Sequence, residues 1–426
     1  MQDGRLSKRV QMEGRNKTHS LVTGNITWGM LWFAVPMILG NLLQQFYNIA
    51  DTLIVGRFLG AKALAAVGSA YTLMIFLTSV LLGLCMGSGV VFSLQYGARD
   101  HEALKRSIFV SLVLIGVITL LLNIAVFVWI DPILRLLQVP AEVYILMRDY
   151  LWIIFGGIGF TFLYNYYASL LRAVGNSVLP LVFLAVAVVL NIVLDLVFIL
   201  SFGWGVRGAA LATVKEIATY SSLTCAQQSV MNFGILMVQG LINSFGTAVM
   251  AGFAAAVKID SFAYMPVQDF GNAFSTFIAQ NFGAGKHERI RKGIRVAVRV
   301  TLIFCLIISV LVFVLARPLM LIFIPAHETE IISIGVEYLR IEGAFYCGIG
   351  WLFLLYGFYR AVRKPGMSVV LTVISLGVRV ALAYTLAAIP GIGVWGIWWS
   401  IPIGWFLADI FGWCYYRMKQ RKSLEW

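Results

Sequence analysis

At 426 residues the chain is long enough for two or three soluble domains, yet it is 60% hydrophobic and 12% charged, with a mean hydropathy of +0.88. Nineteen acidic and 32 basic residues cannot cover the water-facing surface of a soluble protein this long. Cytosolic enzymes and secreted scaffolds are excluded, and an all-α polytopic membrane protein is expected. The net charge of +13 would point to nucleic acid in a soluble protein. Here the basic residues fall in short runs between apolar stretches, where they orient helices in a bilayer, so membrane lipid and not nucleic acid is the expected surrounding.

Residues 1–24 form a polar tail carrying Arg5, Lys8, Arg9, Arg15 and Lys17, without the short apolar core and small-residue cleavage site of a signal peptide. Apolar runs able to cross about 30 Å of hydrocarbon centre near residues 42, 76, 118, 160, 188, 234, 262, 305, 348, 378 and 404, which makes about eleven spans. Several contain proline (Pro36, Pro180, Pro266, Pro402), tolerable where neighbouring helices re-satisfy the freed backbone groups. Lys and Arg concentrate at the amino terminus, at Arg99, Lys105 and Arg106, around Arg172, over 286–295, at Arg360, Arg363 and Lys364, and over 417–422. All of these are expected on the cytoplasmic side, while the links near 131–142, 201–205, 325–330 and 390–393 are poor in Lys and Arg and face the other side.

An intramembrane carboxylate costs about 2.5 to 3.5 kcal/mol on insertion scales and marks a functional site by default. In helix one, Gln44, Asn48 and Asp51 lie at i, i+4 and i+7, which places three polar groups on one face. In helix five, Asn191 and Asp195 form a second such pair. Two desolvated carboxyls in the same half favour the protonated form of at least one of them, and such a site can load and release a proton. The alternative is that each acid is satisfied by packing contacts. Helix seven carries Gln228, Asn232, Gln239 and Asn243 on one face, a stripe that lines a substrate path or joins helices.

The chain matches itself. GARDHEALKRSI from Gly97 pairs with GAGKHERIRKGI from Gly283 at an offset of 186. RAV at Arg172 pairs with RAV at Arg360, YLWI at Tyr150 with YLRI at Tyr338, and GVRG at Gly205 with GVWG at Gly393, all at an offset of 188. Two halves whose equivalent loops are both basic point the same way, as parallel repeats with an even number of spans each. The expected division is a tail at 1–24, an N-terminal lobe at 25–214, a C-terminal lobe at 215–416 and a basic tail at 417–426. After Gly393 a full last span follows, but after Gly205 only VRGAALATV precedes Lys215, so helix six is represented by about half its length. A segment of helix six and its linker is therefore expected to be absent between Val214 and Lys215; the alternative is a genuine eleven-span protein.

The halves have diverged in chemistry. At the same offset Asn191 becomes Arg379 and Asp195 becomes Ala383. Arg379 requires a partner at depth, and Asp260, Asp269 or Glu342 can supply one as a structural ion pair. The four histidines (His19, His101, His287, His327) lie in the tail or in loops, and the five cysteines (Cys85, Cys225, Cys305, Cys347, Cys414) stand singly as small core residues, so neither a metal site nor a disulfide framework is expected. Walker A, GxSxG and HExxH patterns are absent from the sequence, against an ATP-driven pump or a membrane protease.

The helix-one pattern PMILGNLLQQFYNIADTLIVGRFLG, the loop QYGAR, the turn RAVGNS, and LNIVLD followed by GVRGAALATV together resemble the multidrug and toxic compound extrusion (MATE) family over residues 25–420. The resemblance implies a monomer of twelve helices in two six-helix lobes, in the bacterial inner membrane with both termini cytoplasmic. It implies export of cationic or amphipathic small molecules in exchange for protons, Na+ being the alternative coupling ion, with no cofactor and no enzymatic activity. Carried over position by position, the family's cation site falls on Asp51, Asn191, Asp195 and Thr213, with Tyr150 and Asn165 of helix four as weaker matches. Gln44, Asn48, Gln228, Asn232 and Gln239 would line the substrate path. Sodium-type members of the family carry acids in helices seven and ten; the corresponding places, near Met231 and Pro365, hold none here. The competing functions are a lipid-precursor flippase, which needs a strongly basic cavity, a polytopic membrane enzyme, and an inactive remnant owing to the shortened helix six.

Overall fold

The computed structural model describes residues 21–136, 141–196, 237–238, 241–242 and 244–422, and among them every element is helical. Five helices lie before the undescribed stretch: α1 (Ile26–Ala98), α2 (His101–Leu136), α3 (Ala141–Gly156), α4 (Ile158–Ala173) and α5 (Val178–Leu196). Six follow it: α6 (Thr247–Gly283), α7 (His287–Met320), α8 (Thr329–Gly343), α9 (Tyr346–Ala361), α10 (Pro365–Ala387) and α11 (Val394–Lys422). Seven helices among the described residues are long and apolar enough to cross a membrane, or nine if each of two bent pairs counts as one span. The expected spans near residues 42, 76, 118, 160, 188, 262, 305, 348, 378 and 404 all fall on these helices. The run near 234 and the junction at Val214 and Lys215 lie outside the described residues.

One element differs from expectation. Two helices were expected over residues 26–98, and helical hydrogen bonding instead runs unbroken for 73 residues. At 1.5 Å rise per residue that is about 110 Å, several times one hydrocarbon core. Its two ends, Ile26–Tyr47 and Val80–Ala98, are each apolar enough to span. Between them the chain has Gly56 and Gly60 but no proline, so nothing in the sequence forces a stop.

The duplication is written into the backbone. Arg99 and Gly285, equivalent at offset 186, both take a left-handed conformation, with φ of 59° and 68°. In both loops the next amide reaches back to the same helical carbonyl, Asp100 to Gln95 at 3.0 Å and Lys286 to Asn281 at 2.9 Å. Gly175 and Arg363, equivalent at offset 188, repeat the device with φ of 93° and 59°, closed by Asn176 on Leu171 and Lys364 on Tyr359. These are helix ends capped by a residue past the last turn. Helices α3 and α4 meet at 49°, and α8 and α9 meet at 54° at the equivalent position. At the first bend the Asn123 side-chain amide donates to the Phe155 carbonyl, satisfying a group that the break in the helix leaves free inside an apolar environment.

Orientation in the bilayer follows from which face each helix hides. On α2, Leu120, Leu121, Ile124 and Val128 are exposed, and on α7 their repeat equivalents Leu306, Ile307, Val310 and Val314 are exposed too. The buried face of α7 is a stripe of small and polar residues, Ala297, Thr301, Cys305 and Ser309. Apolar outside and small or polar inside is the arrangement expected of helices that pack closely in lipid. Of the cysteines placed in the core, Cys85 and Cys305 are buried and Cys347 is half-buried, but Cys414 is exposed, since it stands on the outward face of α11; Cys225 lies outside the described residues.

Packing divides the chain into two units, Val35–Ala226 and a second comprising Met1–Ala34 with Gln227–Trp426. In the first, the second half of α1 shares a core with α2, α3 and α4 built around Phe92, Ile115, Tyr150, Phe155 and Tyr166. Tyr47, near the start of α1, packs separately against Leu184 and Val188 of α5. In the second unit α6 packs on α7, α8 and α9, and α11 lies against α8, α9 and α10. Stacked and edge-on aromatics fasten this unit, with Trp398 parallel to Phe253 at 5.5 Å and Tyr338 edge-on to Trp398 at 5.0 Å.

Candidate functional site

In the first unit the contact of α1 with α5 sets the geometry. Gly40 lets the helices approach, a Cβ there meeting Leu184 at 3.5 Å, and two turns later Tyr47 is buried on Leu184 and Val188. Asp51 follows Tyr47 by four residues, and Asn191 and Asp195 follow Val188 by three and seven, so all three continue the helical stripes that make this contact. The backbone at these positions is helical, while the side chains of Asn48, Asp51, Asn191 and Asp195 lie outside the described residues, as do Thr213, Gln228, Asn232, Gln239 and Asn243 altogether. Gln44 is half-buried one turn before Asn48. Tyr150 is buried in α3, and Asn165 sits beyond the bend in α4, where its side-chain amide donates to the Thr161 carbonyl at 3.2 Å.

The second unit holds a buried charged cluster. Asp260 of α6 and Glu342 of α8 are 5% and 3% exposed, and Arg379 of α10 lies within electrostatic reach of both. The Tyr346 hydroxyl donates to Asp260 Oδ1 at 2.7 Å, and Tyr338 shares a side-chain hydrogen bond with Glu342. Neither Arg379 Nε nor Glu342 Oε2 has a hydrogen-bond partner among the described residues. Of the three acids expected to pair with Arg379, Asp260 and Glu342 lie near it, but neither makes an ion pair with it. Asp269 is buried on α6 nine residues beyond Asp260, more than two turns along the helix.

One span was delimited differently from the sequence, and one buried acid escaped the sequence reading. Pro365 is the first residue of α10, so the tenth span of the repeat is the bent pair α8 and α9, and that span does carry a buried acid, Glu342. Glu342, expected from the sequence as a partner for Arg379, thus stands in that span, which ends before the Arg360 loop and not near Pro365. Asp409 of α11 is 4% exposed, and neither carboxyl oxygen has a hydrogen-bond partner among the described residues. Its signal was present, a lone acid in the apolar run WFLADIFGW, but it has no polar companion at helical spacing.

With these helices and sites described, the likeness to known proteins can be placed. The all-helical, duplicated architecture, with buried acids in its second half, defines a polytopic membrane transporter. The MatE family model matches residues 36–197 and again 223–385, so the chain belongs to the MATE family and carries that domain twice. It is similar to the probable multidrug resistance protein YpnP of Bacillus subtilis, at 30% identity over 96% of this chain and 99% of that one. It also resembles the probable multidrug resistance protein NorM of Thermotoga maritima, at 24% identity over 89% of each chain. Among solved structures, an outward-facing multidrug resistance MATE family transporter superposes with a TM-score of 0.86 at 22% identity, over 94% of this chain and 97% of that one. A mutant of Vibrio cholerae VcmN gives a TM-score of 0.85 at 23% identity, over 93% of this chain and 97% of that one. The protein is a MATE multidrug efflux transporter, multi-pass in the membrane, and not an enzyme.

Proposed function

We propose that the chain works as a secondary antiporter of the plasma membrane, exporting cationic or amphipathic compounds in exchange for protons bound between α1 and α5. The observation that carries this reading is the packing of Tyr47 on Leu184 and Val188. It sets α1 beside α5 in the register from which Asp51, Asn191 and Asp195 continue along facing stripes, with Thr213, Tyr150 and Asn165 as further ligands. A carboxyl pair held at depth binds a proton when open to one side and yields it when open to the other, which is what an antiporter requires.

The multidrug resistance proteins among the relatives support a drug-like substrate, and Gln44, Asn48, Gln228, Asn232 and Gln239 supply polar groups for its path. Arg379 with Asp260 and Glu342 serves the second lobe as a structural ion cluster. A flippase would need several deep basic residues, and among the described residues Arg379 is the basic one in this buried cluster. The alignment with YpnP runs over 444 residues against 426 in this chain, so that relative holds residues without counterpart here. We place part of that difference at helix six, between the N-terminal lobe (25–214) and the C-terminal lobe (215–416).

Asp51→Asn and Asp195→Asn test the assignment, because an amide keeps hydrogen-bonding capacity but cannot exchange a proton. In inverted membrane vesicles each variant should insert normally and lose accumulation of a fluorescent lipophilic cation driven by a pH gradient. Full accumulation by either variant would remove its residue from the coupling site.

A further inference from the structure

The second unit contains a buried acid that neither the coupling site nor the Arg379 cluster uses. Asp409 lies in the middle of α11, 4% exposed, with both carboxyl oxygens buried and unpartnered among the described residues. Its neighbours are polar but offer no cation in contact. From α9, Tyr356 is within electrostatic reach of both Asp409 and Arg360, and its side chain shares a hydrogen bond with Thr372 of α10. Thr372 in turn donates to the Ser368 carbonyl at 2.9 Å, and Ser368 donates to the Tyr356 carbonyl at 3.1 Å, a closed set of hydrogen bonds that leaves the carboxyl out.

The other charged and titratable groups on the elements packed against α11 are engaged elsewhere. Tyr359 donates to the Gly412 carbonyl at 2.7 Å, and Arg360 donates to Asn272 of α6 at 3.0 Å and back to the Tyr356 carbonyl at 3.2 Å. On α10, Arg379 faces Asp260 and Glu342, its Cβ lying 3.5 Å from a Cβ placed on Gly404, five residues before Asp409. On α8, Tyr338 and Glu342 bond to each other and Tyr338 packs on Trp398, three turns before Asp409.

An ionised carboxylate with no cation and no donor cannot persist in an apolar interior; it takes a proton instead. A carboxyl can hold or release a proton, which an asparagine or leucine in its place could not do. Pro402 interrupts the hydrogen bonding of α11 about two turns before Asp409, a place where the helix can bend. We infer that Asp409 is a second proton-binding site, in the C-terminal half, holding its proton in this conformation and releasing it when α11 shifts. The chemistry is one O–H bond formed and broken, the proton coming from and returning to water.

The inference rests on the proton-driven reading of the transporter, but it can be read out without transport. Infrared difference spectroscopy on the purified full chain in lipid, titrated from about pH 6 to about pH 10, reports the carbonyl stretch of protonated carboxyl groups. The band should contain a component that titrates in wild type, disappears in Asp409→Asn and shifts in Asp409→Glu. That component should remain in Asp51→Asn, so failure of the coupling assignment at Asp51 leaves this result standing. Proton uptake measured with a soluble pH indicator over the same range should fall by one per chain in Asp409→Asn. An unchanged band and proton count in Asp409→Asn would overturn the inference, and so would a component that is protonated but does not titrate. If Asp409→Asn does not fold, Asp409→Glu carries the test: its carbonyl component should titrate at a displaced frequency, and a band unchanged from wild type would overturn the inference.

Discussion

Arg379 shows how a single half-buried charge organises its surroundings. It stands where the first repeat has Asn191, and the second repeat has supplied Asp260 and Glu342 around it, each fixed by a tyrosine hydroxyl. Removing one member of such a group strands the others. Arg379→Ala should therefore lower the detergent melting temperature, by an amount corresponding to about 3 to 5 kcal/mol, and Glu342→Gln in the same chain should restore part of the loss. A stable but inactive Arg379→Ala would move the residue from structure to substrate binding. Tyr346→Phe removes the donor to Asp260 and should cost about 1 to 3 kcal/mol, with export retained; a loss of export at unchanged stability would give the cluster a direct part in transport.

At the scale of elements, close helix contacts depend on glycine. A Cβ on Gly357 of α9 would lie 2.5 Å from the Gly271 carbonyl oxygen of α6, and one on Gly404 would lie 2.4 Å from the Ser375 carbonyl oxygen of α10. Backbone cannot yield as a flexible side chain can. Gly357→Val should cost about 1 to 3 kcal/mol by thermal denaturation, whereas Gly366→Ala, with open space around its Cβ position, should be neutral. Equal stability of the two variants would contradict the packing of α6 on α9.

Elements were also where the sequence was most and least legible. Apolar length found the spans, because twenty residues of hydrocarbon solubility have no other use. It could not find the bends at Gly157 and Phe345, since a broken span and an intact one have the same composition. Nor could it end α1, in which no proline stands between Tyr47 and Val80. The carboxylates of helix one and helix five stood out because each has a polar companion at helical spacing. Asp409 has none, and only its burial against Tyr356 and the glycines of α11 distinguishes it.

For the whole molecule, the duplication implies that the loop after α1 and the loop before α7 lie on one side of the membrane, since both are basic and both close with the same left-handed turn. A single cysteine replacing Lys286, in a chain freed of its native cysteines, should be shielded from an impermeant reagent on intact cells and react after permeabilisation. Labelling from outside would invert the second half and break the equivalence of the lobes. A chain with an odd number of crossings between these loops could not keep both inside.

Proton coupling through the first half is most directly measured in proteoliposomes holding the purified chain, with a lipophilic cation on one side and either a pH gradient or a sodium gradient imposed. The pH gradient alone should drive uptake of the cation, the sodium gradient alone should not, and Asp51→Asn should abolish the first without altering incorporation or orientation. Uptake driven by sodium at uniform pH, or proton-driven uptake that survives Asp51→Asn, would contradict it.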